Sequence, residues 1–183
     1  MHTITLLRIR LSSTTPPRTH YELFPKALPN GPPPSGPFPI NLRALRAEFL
    51  QLQAKSHPDL HPISLKTRAE ATSALINEAY NTLQSPLARA QYLLSLKGMD
   101  VSEDESAKIE DPAFLTEVMD VQERIEEIEE GELEEMVREN EERISKCEGK
   151  LERCFGDDDL EGARREAVRL RYWVNVRGTL HEW

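Results

Sequence analysis

The feature that most constrains the fold is a repeat of apolar residues at intervals of three and four through the C-terminal half of the chain. Because an α-helix turns once in 3.6 residues, each series marks one apolar helix face. Gly131 separates the first series from the second, and Gly156 with the acidic turn 157–159 separates the second from the third. Short connections make consecutive helices antiparallel neighbours, so the pattern predicts a three-helix bundle. The three series are Phe114, Val118, Val121, Ile125 and Ile128; Leu133, Val137, Asn140, Ile144, Cys147, Leu151 and Cys154; and Leu160, Ala163, Ala167, Leu170 and Val174.

A second pair of helices is predicted on either side of the tripeptide His57-Pro58-Asp59. Because a proline disfavours the helical conformation in the residue before it, the first of these helices ends at the tripeptide. Two helices joined by a short turn fold back on each other, which makes the tripeptide a rigid tip suited to recognition. Their apolar faces consist of Leu42, Leu45, Phe49 and Leu52 before the turn, and Leu65, Ala69, Thr72, Ile76, Ala79 and Leu83 after it.

A metal site is the alternative interpretation of the same turn. His57, Asp59 and His61 are spaced two apart, and their side chains are ligand types for zinc or another transition metal. No cysteine or further His/Asp pair nearby completes a coordination shell. A metal-dependent hydrolase at this place would carry stoichiometric metal after purification. A proline-stopped turn with solvated polar residues is the third alternative.

The segment from Pro25 to Pro39 is rich in proline and glycine, above all between residues 28 and 39. Such a composition favours extended backbone without internal hydrogen bonds. We therefore expect a mobile insertion without packed structure, with a partner-binding proline motif as the alternative.

A short helix over residues 86–97 is predicted to link two domains. Ser85 is suited to cap its N-terminus, Pro86 to occupy its first position, and Gly98 to end it. Apolar residues crowd almost every side of this helix, and a helix of that kind is buried. We therefore divide the all-α chain into residues 19–97, which include this linking helix, and a bundle over residues 98–183.

The first 18 residues have the composition of a mitochondrial presequence. They contain Arg8, Arg10 and Arg18, several hydroxyl residues and no acid. A disordered basic tail is the alternative. Because the formal net charge of the whole chain is −9, we expect no nucleic-acid partner. No segment has the apolar length of a membrane span, so we expect no membrane partner either.

Some apolar residues of the predicted bundle lie off its three seams. Leu115 and Met119 lie one position past seam residues, with Asp120 and Glu123 beside them, and Tyr172 falls between two seam residues and points away from the centre. Surplus apolar residues edged by carboxylates are typical of a binding patch. The alternative is that the linking helix covers them.

Several stretches resemble a known family. Tyr21-Glu22-Leu23-Phe24, the tripeptide His57-Pro58-Asp59 and Ile76-Asn77-Glu78-Ala79-Tyr80-Asn81-Thr82-Leu83 are similar to the first helix, the signature and the third helix of J-domains. The run from Pro86 to Gly98 and the run Asp111-Pro112-Ala113-Phe114-Leu115 resemble HscB-type co-chaperones, which in fungi are the mitochondrial Jac-type proteins. The resemblance covers about residues 20 to 180, and it implies a J-domain followed by a three-helix bundle.

The resemblance implies two binding sites. In the family, the tripeptide docks on a DnaK-type heat-shock chaperone and triggers its ATPase, and cations on the preceding helix meet an acidic chaperone surface. Here those cations are Arg43, Arg46 and Lys55. The bundle of the family binds the iron–sulfur cluster scaffold protein of the IscU/Isu type. The scaffold-facing positions carry over onto Leu115, Thr116, Met119, Asp120, Glu123 and Tyr172.

We therefore expect an adaptor of the mitochondrial matrix that activates a partner's ATPase and is not itself an enzyme. The chain has no phosphate-binding glycine loop, and we expect no cofactor. A monomer is expected, with self-association as the alternative. A generic J-domain co-chaperone for another client would keep the tripeptide but not the patch.

Overall fold

The computed structural model describes residues 19–56, 63–99, 111–128 and 131–183, with the backbone alone for residues 63–65. Every regular element in these ranges is helical, which confirms the predicted all-α class. The elements are a short 3₁₀ helix, His20–Leu23, followed by α1 (Leu42–Ser56), α2 (Ile63–Gln84), α3 (Pro86–Leu96), α4 (Pro112–Glu126), α5 (Leu133–Gly156) and α6 (Leu160–His181).

Helices α1 and α2 form the predicted antiparallel hairpin. Gln53, near the end of α1, hydrogen-bonds to the Ser73 carbonyl and to Asn77, while Phe49, one turn earlier, stacks on Tyr80, further along α2. Leu45, Ile76, Ala79 and Leu83 are buried as predicted. Thr72 was wrongly assigned to the apolar face, because it is exposed and its hydroxyl donates to the Arg68 carbonyl of the preceding turn.

The proline-rich segment is packed, so the expectation of a mobile insertion was wrong. Its start is held by Glu48 of α1, whose carboxylate accepts hydrogen bonds from the backbone N–H groups of Lys26 and Ala27. Near its end, Phe38 is only 3% exposed and stacks on Phe155 of α5. Composition predicts an extended backbone, but the Glu48 carboxylate at one end and the buried Phe38 ring near the other fix this backbone to the core.

The linking helix α3 is as predicted. The Ser85 hydroxyl accepts a hydrogen bond from the Ala88 N–H, and Gly98 ends the helix with a positive φ of 75°. Leu93 and Leu94 are buried, and α3 as a whole packs against both α2 and α6. The core therefore runs without a break from the hairpin into the bundle.

The bundle consists of the close pair α5 and α6 with α4 laid against it. The buried residues of α5 differ from the predicted seam at both ends of the helix, because a strict seven-residue repeat falls out of register with 3.6 residues per turn. The residues buried on α5 are Met136, Asn140, Ile144, Cys147, Leu151 and Phe155. On α6 Trp173 is buried beside the predicted seam position Val174, and the buried face continues past that position through Val176 and Leu180.

Candidate functional site

The tripeptide His57-Pro58-Asp59 and the neighbouring His61 lie outside the described residues. The structure does describe the hairpin that carries them, with α1 ending at Ser56 and α2 beginning at Ile63. The metal alternative for His57, Asp59 and His61 is therefore untested. In the part of the chain that the structure describes, no group of three or more His, Cys, Asp or Glu residues is arranged to hold a metal ion.

The three cations of α1 do not form one stripe. Arg43 and Arg46 are exposed and lie one helical turn apart on α1, and Leu50, which is 55% exposed, lies one turn further along. Lys55 follows Arg46 by nine positions, which is two and a half helical turns, so these two side chains leave opposite sides of the helix. The structure thus brings Arg43 and Arg46 together and separates Lys55 from Arg46.

The outer face of α4 carries the predicted apolar patch. Leu115 is 43% exposed and Met119 is 63% exposed, although both are large apolar side chains. Thr116, Asp120 and Glu123 are also exposed, and their spacing places them on the same side of α4. The alternative that the linking helix covers Leu115 and Met119 is wrong, because both side chains are open to solvent. An apolar centre with an acidic edge is therefore open to solvent on this helix.

Tyr172 borders this patch but is half-buried, so the prediction that it points away from the bundle was only partly right. Its hydroxyl donates a hydrogen bond of 3.3 Å to the Val118 carbonyl, one position before Met119. Its ring packs edge-on against Phe114 and Trp173. Burial raises the pKa of Tyr172, which keeps the phenol protonated and able to donate. Tyr172 thus joins α6 to α4 at the edge of the patch.

Charged residues hold α4 in place at its N-terminus. Asp111 caps the helix by accepting hydrogen bonds from the N–H groups of Ala113 and Phe114, and its other carboxylate oxygen pairs with Arg169 of α6. Arg169 also pairs with Glu166 at 3.2 Å and lies over the Phe114 ring. The hydrogen bond from the Phe114 N–H holds the pKa of the Asp111 carboxyl below its ordinary value. The orientation of the patch therefore depends on a cap and an ion pair between helices.

Two further ion pairs tie α4 to α5. Arg143 of α5 donates to Glu117 at 2.9 Å and lies over the Trp173 ring, and Arg124 of α4 donates to Glu139 at 2.7 Å. Each pair alone contributes little to stability because its groups are partly solvated. Together they resist rotation of α4 about its own axis, and such rotation would turn Leu115 and Met119 away from solvent.

Comparison with known proteins identifies the family of this arrangement. Residues 110–181 match the family model described as the HSCB C-terminal oligomerisation domain. The mitochondrial J-type co-chaperone JAC1 of Saccharomyces cerevisiae is 33% identical over 170 residues, which cover 90% of this chain and 88% of that protein.

The chain belongs to the HscB/Jac1 family of J-type co-chaperones.

Two human comparisons agree with this assignment. The iron-sulfur cluster co-chaperone protein HscB of Homo sapiens is 31% identical over 146 residues, covering 76% of this chain and 60% of that protein. The crystal structure of human co-chaperone protein HscB superposes with a TM-score of 0.80 at 27% identity, covering 93% of this chain and 84% of that one. The all-α architecture with a J-domain hairpin and a bundle is thus the architecture of the HscB/Jac1 family, whose members named here are co-chaperones rather than enzymes.

Sequence reasoning missed part of the site in this HscB/Jac1-family chain. The dipeptide Asp111-Pro112 is itself a helix-start signal, with a capping carboxylate and a proline at the first helical position, so Asp111 was open to prediction. Arg169 could not be predicted, because its partner Asp111 lies 58 positions away and no local sequence pattern connects the two residues.

Neither cysteine of the bundle is suited to chemistry. Burial raises the pKa of the Cys147 thiol to about 12, and burial also raises the pKa of the Cys154 thiol. Both therefore stay protonated and poorly nucleophilic at neutral pH. Among the described helices, none is both long and apolar enough to cross a membrane.

Asp111→Ala is expected to loosen the first turn of α4 and, through it, the patch. Amide hydrogen exchange of residues 113–116 should accelerate roughly tenfold, as for loss of a helix cap, while exchange in α5 stays unchanged. Because the folded-state pKa of Asp111 is lowered, its contribution is present at neutral pH and is lost only as the pH falls through that lowered value. Asp157→Ala, an exposed change beyond the end of α5, is the matched control. Equal exchange in both variants would contradict the role of the cap.

Proposed function

We propose that this protein is a co-chaperone that binds an iron–sulfur cluster scaffold protein of the IscU/Isu type on its bundle and stimulates the ATPase of a DnaK-type chaperone through His57-Pro58-Asp59. The observation that carries the proposal is the exposed pair Leu115 and Met119 on α4. Large apolar side chains in this arrangement are left open to water on a helix whose inner face is fully packed. Membership of the HscB/Jac1 family supports the same assignment.

The patch has the chemistry of a protein-binding surface. Leu115 and Met119 supply the apolar centre that a partner buries, and Tyr172 adds an aromatic edge of the kind enriched at binding hot spots. Asp120 and Glu123 are exposed beside them and favour a partner with cations around an apolar depression. Because the hydroxyl of Thr116 already donates to the Pro112 carbonyl, Thr116 contributes its methyl group more than a hydrogen bond.

The chaperone-binding end is assigned to the hairpin. Arg43 and Arg46 present two positive charges on the exposed side of α1, and Leu50 lies beside them. Charges of this kind raise the rate of encounter with an acidic surface more than they raise final affinity. The Lys55 side chain extends from another side of α1, and Lys55 is closer in sequence to His57-Pro58-Asp59. We therefore assign Lys55 to the chaperone contact made by the tripeptide.

The protein thus acts by bringing two partners together. The scaffold protein with its cluster is the cargo held by α4, and ATP hydrolysis takes place in the chaperone. Stimulated hydrolysis lets the chaperone grip the scaffold, which promotes transfer of the cluster. The chain's own contribution is positional, through its two binding surfaces.

Calorimetry with purified proteins tests the proposal. The full chain is titrated into the purified scaffold protein, and the ATPase rate of a mitochondrial DnaK-type chaperone is measured with the chain alone and with the chain plus scaffold. We expect a one-to-one complex and a higher rate when both are present. ATPase stimulation without scaffold binding would favour a generic J-domain co-chaperone for another client. Stoichiometric metal that is lost on changing His61 would favour the metal alternative.

Import into mitochondria is assigned to residues 1–18, and the matrix is the proposed location. Relatives with mitochondrial names and the acid-free, arginine-containing start of the chain support this assignment. Deletion of these residues should abolish import into isolated, energised mitochondria, measured as protease-protected chain. Replacement of Arg8, Arg10 and Arg18 by glutamine should have the same effect, since the positive charges drive import. Import of the deleted chain at the full rate would overturn the assignment.

A further inference from the structure

We infer that the segment from residue 25 to residue 39, called here the bridging segment, positions the bundle relative to the hairpin through the side chain of Phe38. The positioning role of Phe38 is independent of the proposed function, whereas its consequence for activation of the chaperone rests on that function. The positioning residues are Phe38 in the segment, Arg89 in α3 and Phe155 in α5. None of them belongs to the two binding surfaces described above.

The bridging segment is anchored at the hairpin end. Glu48 of α1 is only 6% exposed, and its carboxylate accepts the N–H of Lys26 at 3.1 Å and that of Ala27 at 2.7 Å. A buried carboxylate that receives several backbone hydrogen bonds fixes the backbone that donates them. Phe24, just before these residues, is fully buried in the hairpin core. The start of the segment therefore moves with α1.

Turns inside the segment make it a defined shape. The Gly31 N–H donates to the Leu28 carbonyl, and the Gly36 N–H donates to the Pro32 carbonyl. A Cβ atom at Gly36 would lie 2.0 Å from the Gly31 carbonyl oxygen, so the backbone closes on itself more tightly than any other residue allows. The proline rings between these turns limit rotation further. The bridging segment is therefore rigid enough to fix the position of Phe38 relative to Lys26 and Ala27.

At its other end the segment contacts the bundle. The Phe38 ring stacks on the Phe155 ring of α5, with centroids 5.1 Å apart and planes 16° apart. The guanidinium of Arg89 also lies over the Phe38 ring, 4.6 Å from the ring centroid. Arg89 is 3% exposed and donates to the Leu83 carbonyl at 2.9 Å, at the end of α2. One ring is therefore held between the bundle and a side chain bonded to the hairpin.

This contact supplies a second point of attachment between the two domains. The first is α3, which packs on α6. A single helix contact leaves the domains free to rock about its axis, whereas a second contact on a different helix, α5, opposes that motion. Beside Phe38 a cleft of about 250 Å³ opens between Pro39, Arg89 and Glu148. Relative motion is the ordinary behaviour of two domains unless packing prevents it.

The consequence is a fixed geometry between the α4 patch and the hairpin that carries His57-Pro58-Asp59. With the bundle held at one angle, a scaffold bound on α4 is presented at one position relative to a chaperone docked on the hairpin. Loss of Phe38 should leave each binding surface intact and impair only their cooperation. This separates a positioning role from a general effect on stability.

Distance measurement between two spin labels tests the inference in the full chain. Cys147→Ala and Cys154→Ala remove the native thiols, and Ala47→Cys in α1 and Asn175→Cys in α6 introduce exposed labelling sites. Double electron–electron resonance then gives the distribution of distances between hairpin and bundle. We expect a narrow distribution for this background and, for Phe38→Ala, one broadened at least about twofold, as for domains released from a common packing contact.

Two controls make the result decisive. Phe49→Ala removes a ring that stacks on Tyr80 within the hairpin, so it should lower stability without broadening the distribution. Phe155→Ala removes the same contact from the bundle side and should broaden the distribution as Phe38→Ala does, which also serves if Phe38→Ala fails to fold. An unchanged width in Phe38→Ala or Phe155→Ala, with cooperative melting retained, would overturn the inference.

The functional arm uses the same variants without labels. Scaffold affinity of Phe38→Ala should stay within about twofold of the parent chain, as for a change remote from the interface, while the scaffold-dependent part of the ATPase stimulation falls. If the parent chain does not bind scaffold, the proposed function fails, yet the distance distributions still decide the role of Phe38. If the distributions broaden and the scaffold-dependent stimulation is unchanged, the fixed angle has no functional role.

Discussion

His57→Gln should reduce the ATPase rate of the DnaK-type chaperone to its unstimulated value. Glutamine keeps a polar side chain of similar length but loses the imidazole ring, so the tip would no longer make the contact that triggers hydrolysis. The helices on both sides pack through Leu45, Ile76 and Leu83 among others. We therefore expect the thermal melting temperature and the scaffold affinity to be those of the parent chain. Single-turnover ATP hydrolysis at several chain concentrations measures the effect.

His61→Gln is the matched control, since His61 lies in the same connection between α1 and α2. An adaptor needs the tripeptide, so this variant should stimulate the ATPase nearly as well as the parent chain. Normal stimulation by His57→Gln would refute the assigned role of the tripeptide. Equal loss in both variants, together with metal bound to the parent chain, would indicate the metal site instead.

The combined change Leu115→Ala, Met119→Ala and Tyr172→Ala should weaken scaffold binding by several kcal/mol. Truncation of a hot-spot side chain costs about 1–4 kcal/mol, and a loss of about 3 kcal/mol already lowers affinity more than about a hundredfold. Leu115 and Met119 are 43% and 63% exposed, so their truncation should hardly change the stability of the free protein. Isothermal titration calorimetry with purified scaffold measures the loss.

Tyr172 needs a separate variant because it also packs against Phe114 and Trp173. Tyr172→Phe keeps the ring and removes only the hydroxyl that bonds to the Val118 carbonyl, so it should bind the scaffold almost as the parent chain does. Leu50→Ala removes another exposed leucine, 55% exposed on α1, and should leave scaffold affinity unchanged. Unaltered affinity in the triple variant would refute the patch.

Helical periodicity predicted the elements well because the described helices α1, α2, α4, α5 and α6 each bury one face. Ser85, Pro86 and Gly98 predicted the limits of α3, since capping depends on residues close in sequence. The position of Leu115 and Met119 off the face defined by Phe114 was predictable, whereas their exposure became clear only from the structure. What a pattern along the chain establishes is which side of a helix is apolar.

Features that join distant parts of the chain escaped the same reasoning. The buried ring of Phe38 lies in a segment whose composition predicts extended chain, and its partner Phe155 is more than a hundred positions away. Tyr172 is half-buried because α4 lies close enough for its hydroxyl to reach a backbone carbonyl. Such contacts depend on how helices are arranged in space, which periodicity alone does not determine.

The protein is proposed to carry both binding surfaces on one molecule, and a mixing experiment tests this most directly. The chaperone's ATPase rate is measured with scaffold present and with parent chain, with the His57→Gln variant, with the Leu115/Met119/Tyr172 triple-alanine variant, and with an equimolar mixture of the two variants. The mixture contains both intact surfaces, but never in the same chain. We predict that only the parent chain gives the scaffold-dependent increase in rate. An increase of the same size from the mixture would contradict the claim that one chain joins the scaffold to the chaperone.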